Sequence, residues 1–279
     1  MNHSQDDGIL EVAKLAARRG GAILKRYFEQ GVEIRNKAAD GGKSYDLVSD
    51  ADLESERAVA SVLRDAFPNH ELLGEEDLDG DAGADHLWII DPLDGTNNFA
   101  HRIPHFAVSI GYFENSRPVA GVVYNPIRED MFWATRGCGA FQSGVSNSGA
   151  PTRLSVDPAD SLDQVLIGCG FYYDRGDVMR RTLAAIEELF GHDIHGIRRF
   201  GTASLDLVMV ASGCVGGFFE YQLSPWDFAA GQIILEEAGG KLTNAYGEAI
   251  PVATTSMVAA NPKLHAILLD IVGRHAPTR

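Results

Sequence analysis

The sequence predicts an α+β / α/β protein layered as an αβαβα sandwich, with an antiparallel N-terminal sheet and a mixed C-terminal sheet. Three observations carry this: two amphipathic helical stretches open the chain, strand-like segments fill 86–135, and apolar strands then alternate with helical patterns.

Ile9, Val12, Ala13, Ala16, Ala17, Ile23, Leu24, Tyr27 and Phe28 recur at helical spacing, so 8–30 reads as one long helix ending near Gly31. A second helix is expected from Ser49 or Asp50, carrying Leu53, Val59, Val62, Leu63 and Phe67 to a stop at Pro68. Between them, Ala38–Ser44 is glycine-rich and polar, which predicts a mobile flap. His86–Ile90, Phe106–Phe113, Val119–Tyr124 and Met131–Ala134 read as strands that pair antiparallel. The Ser, Gly and Asn cluster Ser143–Gly149, before Pro151, marks the expected boundary between an N-terminal half, 1–150, and a C-terminal half, 151–279. Beyond it, strands at Val165–Gly168 and Val215–Phe219 alternate with helical patterns over 176–190, 203–212, 227–238 and 262–273.

Composition narrows the function. A formal net charge of −15 repels nucleic-acid backbones and anionic lipid surfaces, so neither is an expected partner. No apolar run approaches the roughly 20 residues of a membrane helix, and the N-terminus lacks a signal-peptide pattern. Cys138, Cys169 and Cys214 form no C-x-x-C pair, which argues against a zinc site or disulfide framework. A cytoplasmic protein is expected.

The stretch Trp88-Ile89-Ile90-Asp91-Pro92-Leu93-Asp94-Gly95-Thr96-Asn97-Asn98-Phe99 carries the chemistry. An apolar strand ends in Asp91, a proline stiffens the next step, and a second carboxylate arrives before a Gly-Thr that can open a helix. Two carboxylates at a rigid strand end can share one hard cation and reach a second, while the following amides face an anion. The same residue types are also ordinary turn and capping residues. Further acids stand in Gly74-Glu75-Glu76, in Asp46-Leu47-Val48-Ser49-Asp50-Ala51-Asp52 and in Trp226-Asp227-Phe228-Ala229-Ala230-Gly231.

In these motifs and their order the chain resembles the inositol monophosphatase family, of the lithium-sensitive, metal-dependent phosphatase superfamily, from about residue 8 to 270. The resemblance implies Mg²⁺-dependent hydrolysis of a small phosphate monoester, inositol monophosphate first, by metal-activated water, with two to three ions per site. It implies Glu75, Asp91 and the Leu93 carbonyl at one magnesium, Asp91, Asp94 and Asp227 at a second, and Glu75 at a third. Thr96 with Asp52 would orient or deprotonate the water, with Glu75 counted beside them as catalytic. Asp94, Gly95, Thr96, Ala203 and Glu220 would meet the substrate, Glu220 accepting from a hydroxyl. A homodimer and lithium inhibition are implied too. Bland readings stand beside these: Thr96, Asp227 and Asp52 as helix caps, Glu75 as a solvated loop charge.

Asn97-Asn98-Phe99 and Trp226-Asp227-Phe228 look more like the inositol monophosphatase branch than the nucleotide 3′,5′-bisphosphate or histidinol-phosphate branches. Those esters and fructose bisphosphate remain the enzyme alternatives, and a binding or regulatory protein that keeps the fold is the alternative of another class. Asp77, Asp79 and Asp81 imitate a calcium loop, but Ala82 and Trp88 stand where its glycine and closing Glu belong. His101 and His105 read as packing or dimer-contact residues, and Trp88, Phe99 and Trp226 as core bracing the ligands. No role is assigned to Lys37 or Lys43.

Overall fold

The computed structural model describes residues 3–30, 35–36, 47–48, 50–144, 150–172 and 175–278. The flap at Ala38–Ser44 with Lys37 and Lys43, and most of the boundary cluster Ser143–Gly149, lie outside these residues.

The first helix, α1 (His3–Gln30), is followed by a short antiparallel pair, β1 (Arg35–Asn36) and β2 (Leu47–Val48), and by α2 (Asp50–Ala66). A seven-stranded sheet then runs in sequence order: β3 (Glu71–Gly74), β4 (His86–Asp94), β5 (Ala107–Glu114), β6 (Arg117–Asn125), β7 (Asp130–Thr135), β8 (Gly139–Ser143) and β9 (Thr152–Arg153), with the short helix α3 (Thr96–Ala100) after β4. All its pairings are antiparallel except β3 with β4, which run parallel. The expectation of an antiparallel first sheet thus holds from β4 onward. Its exception is β3, four residues too short to show a period.

The second half supplies β10 (Leu166–Cys169), α4 (Asp177–Phe190), β11 (Gly196–Arg198), α5 (Ala203–Ala211), β12 (Gly217–Leu223), α6 (Pro225–Glu237), β13 (Lys241–Thr243), β14 (Thr255–Ala260) and α7 (Pro262–His275). Its sheet is mixed, ordered β11-β10-β12-β14-β13. The strand expected at Val215–Phe219 is displaced to Gly217–Leu223, its register with β10 starting where Gly217 stands opposite Ile167.

Five layers result: α1 and α2, the first sheet, α5 and α6, the second sheet, then α4 and α7. Three apolar clusters fill the spaces between them, the middle one spanning both faces of the α5 and α6 layer. Leu24, Leu63, Trp88, Ile110 and Val122 lie in the first, Phe218, Phe228 and Ile234 in the middle, and Ile167, Phe219, Leu264 and Leu268 in the last. The alternation of strand side chains feeds both faces of each sheet, which a layered fold demands.

The middle layer is pressed close by small residues. A Cβ on Gly111 would come within 2.8 Å of the Ala229 Cβ, and one on Gly121 within 2.7 Å of the Ala230 carbonyl oxygen. Glycines on the sheet meeting Ala229-Ala230 on the helix let α6 lie almost on the backbone of β5 and β6. That approach brings the first turn of α6 up to the end of β4.

Candidate active site

In a regular strand Asp91 and Asp94 would point to opposite faces. Here the register slips: Asp91 pairs with Ser109 and Asp94 with Ala107, so three steps on β4 match two on β5. The strand does not stop at Asp91, as its sequence suggests, but continues through a bulge at Pro92-Leu93 to Asp94. A bulge tolerates the missing N–H of proline and re-aims the next side chain. The Leu93 N–H donates to Asp91 Oδ1 at 3.0 Å, and the Ser55 hydroxyl of α2 donates to the Pro92 carbonyl at 3.0 Å.

Two other elements deliver the remaining acids. The parallel register sets Gly74 opposite Ile90, so Glu75, the residue after β3, emerges beside Asp91 at the same end of the sheet. Asp227 is the third residue of α6 and accepts from the Ser224 N–H at 2.6 Å in a reciprocal capping box. Asp227 is not the N-cap itself, which is Ser224, but its capping-box partner, and that bond also aims the carboxylate: ligand atoms of Asp91, Asp94 and Asp227 all lie within 4.8 Å of one another.

Asp94 has the best-built surroundings. It accepts from the Ala203 N–H at 3.2 Å and the Ser204 N–H at 2.7 Å, so a carboxylate from β4 satisfies the open end of α5. Thr202, which the sequence offers as that cap, sends its hydroxyl to the His105 carbonyl instead, at 2.9 Å. Asn98 Nδ2 donates to the carbonyls of His105 and Phe200 and to Thr202 Oγ1, locking α3 to the start of α5. Gly95, at φ 96°, has no room for a Cβ, which would sit 2.4 Å from Thr202 Oγ1.

Burial dominates the electrostatics. It pushes Asp91 well above the usual carboxylate range, and Glu75, Asp94 and Asp227 push it further against the Leu93 N–H. Asp94 is raised by burial to about 6, held back by the donors on Ser204 and Ala203. Asp227 is raised by burial and then by Asp94. Without a cation, these acids crowd one another towards protonation.

One cavity of about 280 Å³ gathers Glu75, Asp91, Leu93, Asp94, Gly95 and Thr96 on one side and Ala203, Glu220 and Asp227 around the rest. Thr96 is half-buried and donates its hydroxyl to the Leu93 carbonyl at 3.2 Å. Asp52 is fully buried on the first turn of α2, the turn before Ser55, and does not itself line the cavity. Trp88 and Phe99 are core, but Trp226 is half-buried and forms part of the cavity wall rather than only bracing it. His105 packs against Phe200, ring centroids 5.3 Å apart.

The far wall holds residues that sequence reasoning missed. Asp206, 3% exposed, stands with Glu220, 8% exposed, and Arg199 reaches the rim. Burial and Asp206 raise Glu220 to about 8, with Arg199 opposing. Asp206 itself is raised by burial, then by Asp94. Gly170 closes on this wall so tightly that a Cβ there would lie 1.7 Å from Glu220 Oε2. Asp206 sits in an otherwise apolar stretch, Leu205-Asp206-Leu207-Val208, and an acid inside a buried run was the signal available.

A family model described as the inositol monophosphatase family matches residues 5–276. The Nus factor SuhB of Pseudomonas aeruginosa is 38% identical over 274 residues, 96% of this chain and 97% of that protein. The fructose-1,6-bisphosphatase/inositol-1-monophosphatase of Aquifex aeolicus is 36% identical over 95% of this chain and 96% of its own length. Among solved structures, inositol monophosphatase from Anabaena superposes with a TM-score of 0.82 at 35% identity, covering 97% of each chain.

Proposed function

The chain belongs to the inositol monophosphatase family and is a phosphoric monoester hydrolase, and from that premise we propose that it is a Mg²⁺-dependent enzyme acting on a small polyol monophosphate, inositol monophosphate first. The observation that carries this is the convergence of Asp91, Asp94 and Asp227 within 4.8 Å, in one cavity with Glu75. The donor set fits the ion: only carboxylate and carbonyl oxygens, with no His or Cys in the group.

In this reading Glu75, Asp91 and the Leu93 carbonyl hold one ion, and Asp91, Asp94 and Asp227 a second, with Glu75 shared by a third. Magnesium, when bound, neutralises this wall, acidifies a water and steadies the departing oxygen. Thr96 commits its proton to the Leu93 carbonyl, so Oγ1 is left to accept one from the attacking water. With Thr96, Asp52 would orient or deprotonate that water, the role that the family resemblance implies for it. Gly95 and Thr96 meet the phosphate, while Ala203, Glu220 and Asp206 meet the hydroxyl-bearing part. The Ala203 N–H is engaged by Asp94, so that residue offers substrate its methyl surface.

Among the described residues no helix is long and apolar enough to cross a membrane. Cytoplasmic residence, a homodimer and lithium inhibition belong to the same proposal. The name Nus factor on a relative favours a second reading, a binding role beside catalysis. The intact acid set supports catalysis, since carboxylates left unfilled would repel one another at a cost to the fold.

The test is phosphate release with Mg²⁺ from inositol 1-phosphate, fructose 1,6-bisphosphate, histidinol phosphate and a nucleoside 3′,5′-bisphosphate. Inositol 1-phosphate should lead, with no release in chelator. Another ester in the lead would reassign the substrate, and release unaffected by chelator would remove the metal.

A further inference from the structure

We infer that Glu56 is a positioning residue whose carboxylate holds the Glu75 turn in place from beneath. It rests on the reading of Glu75 as a metal ligand. Glu56 lies on α2 and is 1% exposed. Its Oε2 accepts from the Glu76 N–H at 3.1 Å and its Oε1 from the Asp77 N–H at 2.7 Å. These are the two amides that follow Glu75 directly. From the other side, a Cβ on Gly74 would fall 2.3 Å from Glu56 Oε2, so the residue preceding Glu75 is pressed against the same carboxylate.

The turn needs such a support. Asp91 and Asp94 share one bulge, and Asp227 is aimed by its own capping box, whereas Glu75 arrives at the end of a four-residue edge strand. Among the described residues no Lys or Arg pairs with Glu56. A buried carboxylate with only amide donors is an expensive way to stabilise a helix face, and a neutral side chain would serve packing better. Two charge-assisted bonds to consecutive amides fix the direction of a turn, which packing alone does not. Partners of this kind, one step removed from a metal, commonly set affinity for it.

The experiment compares wild type, Glu56→Gln, Gly74→Ala and Glu75→Gln. It reads Mn²⁺ binding to the protein alone by electron paramagnetic resonance, the Mg²⁺ concentration for half-maximal activity, kcat at saturating Mg²⁺, and metal-free melting. Glu56→Gln keeps the volume but can accept only one of the two N–H groups. It should weaken Mn²⁺ binding and raise the half-saturating Mg²⁺ by roughly tenfold, with kcat at saturation changed far less. Gly74→Ala should do the same by displacing the carboxylate. A lowered melting temperature with wild-type Mn²⁺ affinity in both variants would make Glu56 a fold residue only and overturn the inference. Loss of binding in Glu75→Gln but not in Glu56→Gln overturns the inference alone. Wild-type binding in Glu75→Gln overturns the ligand reading and the inference with it.

Discussion

The two walls of the cavity are both lined by buried acids, yet they are built differently. On the metal side, built from the end of β4 and the start of α6, three carboxylates are met by backbone donors: Leu93 for Asp91, Ala203 and Ser204 for Asp94, Ser224 for Asp227. On the far wall Asp206 accepts from the Thr202 backbone N–H, whereas Glu220 is pressed against Gly170 and feels the charge of Arg199 from the rim, its carboxyl pushed up to about 8 against about 6 for Asp94. Fixed donors keep the first set aimed and ready for a cation. Glu220, without such a donor, is suited to accept from hydroxyls. Burial alone does not decide what an acid does; the donors around it do.

The sharpest way to break this contrast is Asp94→Asn. It should lower kcat by roughly 10³-fold or more, equivalent to several kcal/mol of lost metal assistance, with the circular dichroism spectrum retained. Near-normal turnover would remove Asp94 from the metal wall. Next comes Glu220→Gln, which should lower the ratio of kcat/KM for inositol 1-phosphate over an aryl phosphate without hydroxyls by about tenfold. An unchanged ratio would make the far wall indifferent to hydroxyls. Gly170→Ala sharpens the same point, because the added methyl must displace the Glu220 carboxylate. A shift of the same sign on the order of threefold is expected, since a flexible acid can swing aside.

The smallest effect is on stability. In metal-free protein the Asp94 carboxyl is raised from 3.8 to about 6 and that of Glu220 from 4.5 to about 8. A raised folded value gives stability that is present below the unfolded value and lost as pH rises through the folded one. Melting in chelator should therefore fall as pH rises from about 4 to about 8, more steeply below about 6 where both acids contribute, by roughly 2–4 °C per kcal/mol. Added Mg²⁺ should remove the Asp94 part, and Glu220→Gln the part that extends above about 6. A melting temperature that climbs over this range would show that neither acid is raised.

Much of this was legible in the chain. Long periodic stretches such as 8–30 and 176–190 carry their period over several turns, and α1, α2, α4 and α7 appear where that period stands. The motif around Asp91 and Asp94 advertises hard-cation chemistry through residue type and closeness alone. Legibility failed where an element is short or its partner distant: β3 and β11 have too few residues to display alternation, and Asp206 looks like a misplaced acid until the cavity is seen.

By itself the sequence determined which acids were available, that they lay on strand ends and helix starts, and that the chain would layer helices on sheets. Only the tertiary structure decided that Asp91 and Asp94 face one way, through a register slip no periodicity reveals, and that Asp94 rather than Thr202 completes α5. It also decided that Glu56 meets the turn after Glu75. The reason is physical: residue type and spacing are local and readable along the chain. The direction of a side chain depends on pairing register and on donors that arrive from residues more than a hundred positions away, as Ser204 does for Asp94.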